Sequence, residues 1–150
     1  MPFPIRRRWR DYRTAAGHRP VRFAVRVWHY TASQDAIDIE HDCELLPGTW
    51  GTDGPGVYVT DLQPNPDRRR ISMGIWNQWR PRSMEAFVGL PFIAGDMEPS
   101  RTHPHVWVAR QSEIRLTGLD DLELGFWQGP DPSAADDRGT WLRRPLRGCR

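Results

Sequence analysis

Two short segments carry residue types that could handle a nucleotide: 29–31 (His-Tyr-Thr) ends one strand-like run, and 54–61 (Gly-Pro-Gly-Val-Tyr-Val-Thr-Asp) opens another. Taken alone, each has a structural explanation, since His29 and Tyr58 could be packing residues and Gly-Pro-Gly is a turn signal. A dinucleotide fingerprint of the Rossmann type is excluded, because the Gly-x-Gly-x-x-Gly form and its following helix are missing. In this order and at this spacing, the two segments suggest a nucleotide-handling pocket.

The elements that would position these segments follow from the hydrophobic pattern. Residues 21–30 alternate apolar with polar side chains and predict a strand that ends at the first segment. A helix is predicted over 34–44, with Ser33 as its cap and with Pro47-Gly48 stopping it. Residues 57–60 predict a second strand. The spacing of Ile71, Ile75 and Trp79 then predicts a helix over 68–79.

The second half of the chain predicts strands at 83–90, 105–109, 113–117 and 122–127. Strands cluster there, while both helices lie in the first half, so the pattern predicts an α+β domain with mostly antiparallel sheets. We expect a basic, flexible arm over 1–20, one domain over 21–128 and an irregular tail over 129–150 that Trp141 packs onto the domain.

Composition narrows the function classes. The net charge of +2 does not indicate a nucleic-acid binder. All 21 basic residues are arginine, which a GC-rich genome explains most simply, and without lysine there is no Schiff-base or P-loop lysine. The two cysteines, Cys43 and Cys149, do not suggest a disulfide framework, and no CxxC or HExxH motif predicts a metal site. Without a membrane-length apolar run or an apolar stretch after Arg6–Arg8, a soluble protein with no signal peptide is expected.

The two segments, together with the strand and helix order around them, resemble the ADP-ribosyltransferase superfamily of the His-Tyr-Glu type. The likeness is closest to bacterial toxin transferases with the HYD1 signature, and 29–31 and 54–61 match that signature nearly letter for letter. It covers roughly residues 24–127. The resemblance implies a compact fold with split, mostly antiparallel β-sheets, NAD as substrate and no metal.

The resemblance also implies roles for individual residues. His29 would hydrogen-bond a ribose hydroxyl of NAD, and Tyr58 would stack on the nicotinamide ring. The backbone of Tyr30 would hold the carboxamide, with Thr31 beside it, and Gly56 would let the loop pass close to the ligand. Trp76 would form a second wall of the slot, although packing in the core explains it equally well.

A third motif must supply a carboxylate, and the resemblance implies Glu113 as catalytic beside His29 and Tyr58. The HYD1 group carries Asp there, so Asp120, Asp121 and Glu85 are rivals. Cleavage of nicotinamide from ribose builds an oxocarbenium-like charge, which a carboxylate on the 2′-hydroxyl stabilises. The carboxylate can also help to activate the incoming nucleophile.

Five arginines could bind the pyrophosphate, because guanidinium forks suit phosphate, although a solvated face explains them too. They are Arg22, Arg26, Arg68, Arg69 and Arg70. The implied function is an NAD-dependent mono-ADP-ribosyltransferase, a toxin or effector delivered into a target cell, with a macromolecular acceptor and a possible cognate immunity protein. The alternatives are an NAD glycohydrolase of the same fold and a non-catalytic binding module.

Overall fold

The computed structural model of the chain describes residues 12–13, 20–21, 25–48, 53–110, 113–129 and 139–149. Two α-helices and eleven strands form within them. The helices are α1 (Ser33–Asp42) and α2 (Arg68–Trp76). The strands are β1 (Tyr12–Arg13), β2 (Pro20–Val21), β3 (Arg26–Thr31), β4 (Glu44–Leu45), β5 (Val57–Thr60), β6 (Ala86–Pro91), β7 (Glu98–Pro99), β8 (Val106–Ala109), β9 (Ile114–Arg115), β10 (Glu123–Gln128) and β11 (Thr140–Pro145).

Seven strands form one sheet in the order β11-β10-β6-β3-β5-β8-β7, and every pairing in it is antiparallel. Alternate residues of each strand face opposite sides. On one side Val27 and Val59 pack with α1, and on the other Trp28 and Phe87 pack with α2. The predicted α+β class, with two helices in the first half and mostly antiparallel sheets, is confirmed.

The sheet is split between β3 and β5. β3 pairs with β6 over six residues, but with β5 only through Trp28 and Thr60. The two strands that carry the segments 29–31 and 54–61 therefore diverge just where those segments lie. This gap in the backbone pairing creates the candidate site.

The helices end earlier than predicted. α1 stops at Asp42 because Cys43 takes a left-handed conformation with φ 56°, well before Pro47. Its N-cap is Ala32 rather than Ser33, and the backbone N–H of Ser33 donates instead to the Glu85 carboxylate at 3.0 Å. α2 ends at Trp76 because Asn77 is likewise left-handed, with φ 58°.

The strand boundaries also shift. A 3-10 turn, Pro81–Met84, replaces the start of the strand predicted from residue 83. Val21 belongs to a separate two-stranded ladder with β1, so the predicted strand over 21–30 begins at Arg26. This ladder shows part of the predicted arm to be paired, and the remainder of 1–20 lies outside the described residues.

The irregular C-terminal tail is a wrong prediction. Residues 140–145 form β11, which pairs with all six residues of β10 at the edge of the sheet. Trp141 anchors this segment as expected, since it is 8% exposed and its indole N–H donates to the Asn65 carbonyl at 2.9 Å. Beyond β11, Cys149 forms a disulfide with Cys43, which the cysteine count did not predict. A pair far apart in sequence leaves no local signal for such a bridge.

Candidate functional site

A cavity of about 400 Å³ opens where β3 and β5 diverge. Its walls are largely aromatic, and the polar groups that reach it are two histidines, one threonine and one arginine. The described residues that line it are Trp28, His29, Tyr30, Gly48, Gly56, Tyr58, Val59, Thr60, Ile75, Trp76, Arg80 and His103. A concave, mostly apolar space of this size with a few convergent polar groups is typical of small-molecule sites.

Tyr58 forms one wall, and its ring is held in place by the loop that precedes β5. Its hydroxyl donates to the Gly54 carbonyl at 2.5 Å and accepts from the Asp53 backbone N–H at 3.0 Å. Partial burial raises the pKa of Tyr58, so the phenol is neutral at physiological pH. A ring anchored at its polar end presents a fixed face, which suits stacking on a planar ligand.

Gly56 lets two backbone segments approach each other closely. A Cβ at this position would lie 2.6 Å from the Val108 Cγ1 and 2.8 Å from the Ala109 carbonyl oxygen. The Gly56 and Gly48 backbones exchange two hydrogen bonds of 3.0 and 3.2 Å. Glycine at this position therefore sets the shape of the cavity wall.

His29 bridges the gap between the two strands. Its Nδ1 lies 2.9 Å from the Tyr58 carbonyl oxygen, and because a carbonyl only accepts, Nδ1 carries the hydrogen. Burial lowers the pKa of His29, against the smaller opposing effects of the Tyr58 carbonyl and the Asp35 carboxylate. The imidazole is therefore neutral at physiological pH, and its Nε2 is a hydrogen-bond acceptor for a ligand hydroxyl.

Trp76 and Arg80 form the opposite rim. The Arg80 guanidinium carbon lies 5.4 Å from the centroid of the Trp76 ring, within the range of a cation–π contact. Trp76 is half-buried, whereas Arg80 is exposed. A cationic group thus stands at the mouth of an aromatic cavity.

Comparisons with protein-family models, with curated proteins and with solved structures find no match. The likeness to ADP-ribosyltransferases accordingly depends on the two sequence segments and on the geometry they adopt.

The structure brings together most of the residues that the sequence assigned to NAD. His29, Tyr30, Gly56, Tyr58 and Trp76 all line the cavity. Thr31 does not: its hydroxyl donates to the Asp35 carboxylate at 3.1 Å on the α1 side of the sheet.

Glu113 is not among the described residues that line the cavity. It precedes β9, which pairs with β4 in a separate two-stranded sheet, and its carboxylate lies 3.6 Å from the Arg115 Nε. Of its rivals, Glu85 accepts the N–H at the start of α1, while Asp120 and Asp121 line a different depression near the C-terminus. No aspartate or glutamate occurs among the described lining residues.

A second, smaller cavity of about 230 Å³ lies on the α1 side and shares His29 as a wall. Four carboxylates line it, from Asp35, Asp38, Asp42 and Glu44. Within the described ranges, no group of three or more His, Cys, Asp or Glu side chains is arranged to hold a metal ion. Nor does any helix there have the length and apolar character to cross a membrane.

The arginines expected at the pyrophosphate lie elsewhere. Arg68 is fully buried, so its place in an exposed phosphate grip is ruled out, and Arg26 is half-buried near Trp28 and Glu123. Arg69 and Arg70 are exposed on α2 but are not among the described lining residues, and Arg22 lies outside the described residues.

Arg80 and His103 line the cavity instead, and the sequence interpretation missed both. For Arg80 the available signal was its spacing of four residues from Trp76, which places two side chains on one helical face. His103 lies in a loop and offers no such signal.

Proposed function

We propose that the protein is an NAD-dependent mono-ADP-ribosyltransferase of the bacterial toxin or effector type, which transfers ADP-ribose to a macromolecule and releases nicotinamide. One observation carries the proposal: segments 29–31 and 54–61, distant in sequence, contribute side chains to the same aromatic cavity. Neither segment is distinctive alone, and their convergence is what a shared ligand requires.

In this proposal each lining group performs a task suited to its chemistry. The Tyr58 and Trp76 rings hold the nicotinamide, and the His29 Nε2 accepts a hydrogen bond from a ribose hydroxyl. Because the His29 Nδ1 is held by the Tyr58 carbonyl, the acceptor and the stacking ring move as one unit. Aromatic walls also exclude water, which strengthens electrostatic interactions in the site.

The bond cleavage needs a carboxylate near the ribose, and Glu113 is our first assignment. Its side chain is 26% exposed and its contact with Arg115 is long, so a strong ion pair does not hold it away from a ligand. Glu113→Gln removes the charge and keeps the shape. We expect a loss of turnover of about 10²–10³-fold with NAD binding retained. Asp120→Asn, Asp121→Asn and Glu85→Gln are the comparison set, and full activity of Glu113→Gln would shift the assignment to one of these.

A nucleotide-binding module without transfer chemistry is the second candidate. It is favoured by one observation, that no described lining residue carries a carboxylate. An NAD glycohydrolase would use the same cavity with water as the acceptor, and it needs the carboxylate as much as a transferase does.

Free nicotinamide separates these functions. The protein is incubated with NAD, with and without a cell lysate, and nicotinamide release is measured. Release, with label from the adenine part of NAD retained on a macromolecule, supports the transferase. Release with only free ADP-ribose indicates the glycohydrolase, and NAD binding without release indicates the binding module.

The proposal also extends to partners and location. The acceptor is a macromolecule of the target cell, and the producing cell would need a neutralising immunity protein. Co-purification from the producing organism would test for such a partner, and nicotinamide release that persists in the complex would contradict a neutralising role.

A further inference from the structure

We propose that Arg80, held on Trp76, is the phosphate-binding residue of the cavity, so that the site selects a nucleotide over a free base. This inference rests on the proposed function and adds a subsite to it. It begins from charge: Arg80 is the only permanently charged side chain among the described residues that line the cavity. An anionic ligand group is its natural complement, since no carboxylate in that set offsets it.

Arg80 differs from the other arginines of the domain in lacking an acidic partner among the described residues while lining a cavity. Arg110, Arg143 and Arg144 each form an ion pair of 2.9 Å or less, with Glu98, Glu123 and Glu40 respectively. Arg69 and Arg82 are exposed but are absent from the described cavity lining. Arg80 alone combines the cavity position with an available charge within the part of the chain that the structure describes.

The guanidinium is oriented before any ligand arrives. With the Gln78 amide turned so that its oxygen faces Arg80, that oxygen accepts from Nε and Nη2, each at 2.6 Å. The Arg80 backbone N–H donates to the Ser72 hydroxyl at 2.8 Å, and that hydroxyl donates to the Gln78 carbonyl at 2.6 Å. Because Ser72 is buried on α2, the Arg80 backbone is tied to the helix that carries Trp76.

These contacts occupy one edge of the guanidinium and leave the other for a ligand. Nη1 makes no hydrogen bond to any described residue, and the face of the group covers the Trp76 ring. A phosphate oxygen bound to this edge would lie at the cavity mouth while a planar ring occupies the aromatic interior. Arginine is suited to this task because its planar donors are fixed and its charge persists at all physiological pH values.

The test measures the affinity of the full chain for three probes: NAD, ADP-ribose and nicotinamide. Arg80→Gln keeps the stem on Trp76 and removes the charge, and Arg82→Gln is the matched control two residues away. We expect Arg80→Gln to weaken NAD and ADP-ribose by about 10- to 100-fold, while nicotinamide affinity changes by less than about twofold. Arg82→Gln should change all three by less than about twofold.

Two further measurements address folding and mechanism. Arg80→Lys restores the charge but not the planar fork, and should recover part of the NAD affinity. The wild-type affinity for NAD should fall with rising salt, and this dependence should flatten in Arg80→Gln, because an exposed charge is screened. The proposal is overturned if Arg80→Gln behaves like Arg82→Gln, or if it weakens nicotinamide as much as NAD.

The outcomes separate this proposal from the proposed function. Arg80-dependent binding of ADP-ribose without nicotinamide release from NAD would support the phosphate subsite and refute the transferase. Nicotinamide release that is insensitive to Arg80→Gln would support the transferase and refute the subsite. A wild-type protein that binds none of the three probes would overturn both.

Discussion

Two arginine–tryptophan stacks lie twelve residues apart in the sequence, and the structure gives them opposite surroundings. The Arg68 guanidinium carbon is 4.2 Å from the Trp127 ring centroid and 5.4 Å from that of Trp79, and the side chain is 0% exposed. Arg80 lies 5.4 Å from the centroid of the Trp76 ring, but it is exposed at a cavity mouth.

The difference is one of access rather than of chemistry. Arg68 donates from Nη1 to the Met84 carbonyl at 3.1 Å and joins α2 to the turn before β6 and to β10. A charge buried in this way contributes to the fold only as long as the groups around it stay in place. Arg80 can exchange water for a ligand, so the same pairing becomes a means of recognition. Residue type and partner do not distinguish the two, whereas burial does.

The largest expected effect comes from the buried stack. Arg68→Ala should lower the free energy of unfolding by about 3–5 kcal/mol, because it leaves a cavity between two indole rings and an unmatched carbonyl. Urea unfolding followed by tryptophan fluorescence measures this. Arg69→Ala, at the next and exposed position, should change stability by less than about 0.5 kcal/mol. Equal effects for the two variants would remove the distinction between the stacks.

Loss of the disulfide should lower stability without affecting the exposed stack. Cys43 and Cys149 are 106 residues apart, and opening a loop of this length typically costs about 2–5 kcal/mol. The double variant Cys43→Ala/Cys149→Ala should unfold at lower urea, and reductant should no longer shift its transition. Its NAD affinity below the transition should match wild type. A loss of affinity as large as in Arg80→Gln would mean that ligand binding depends on global stability.

Removal of the ring beneath Arg80 should have a smaller effect, confined to binding. Trp76→Leu should weaken NAD by about two- to tenfold, since it removes one stacking wall and one exposed cation–π contact. Titration calorimetry measures this change. Trp79→Leu, which loosens the Arg68 stack instead, should lower stability and leave the affinity near wild type. A reversed pattern would exchange the roles of the two tryptophans.

The smallest effect concerns pH, because both arginines keep their charge while His29 titrates. Burial lowers the pKa of His29 below its usual value of about 6.5. Above that value both folded and unfolded forms are neutral. As pH falls below it, the unfolded chain binds a proton that the folded chain resists, so stability declines down to the folded pKa. NAD affinity should fall only once the folded pKa is reached.

His29→Gln should remove that acid-dependent loss of NAD affinity, and His103→Gln, on the same cavity, should retain it. Titrations across the acid range test both variants. A wild-type profile for His29→Gln would show that another group controls binding at low pH.

Much of the fold could be predicted from the pattern of side chains. Alternation placed Val27 and Val59 on one face and Trp28 and Tyr58 on the other, which is enough for an antiparallel α+β arrangement. Element ends were predicted less well, since the left-handed residues Cys43 and Asn77 terminate the helices without the glycine or proline that marks such ends. β11 was missed because its residues gain their strand conformation only by pairing with β10.

The sequence by itself determined the composition of the cavity. It placed His29, Tyr58 and Gly56 at strand positions that can face one ligand, and the pattern of neighbouring residues was sufficient to anticipate their convergence. Local order encodes which side chains point the same way, because the periods of strands and helices are short-range properties.

Only the tertiary structure decided which charged groups belong to the site. It buried Arg68, directed Glu85 to the start of α1, paired Glu113 with β9 outside the main sheet and brought Arg80 to the cavity mouth. The physical reason is that burial and charge pairing depend on elements distant in sequence. The energy of a charged side chain is set by those distant neighbours, whereas the direction of a strand residue is set by its adjacent ones.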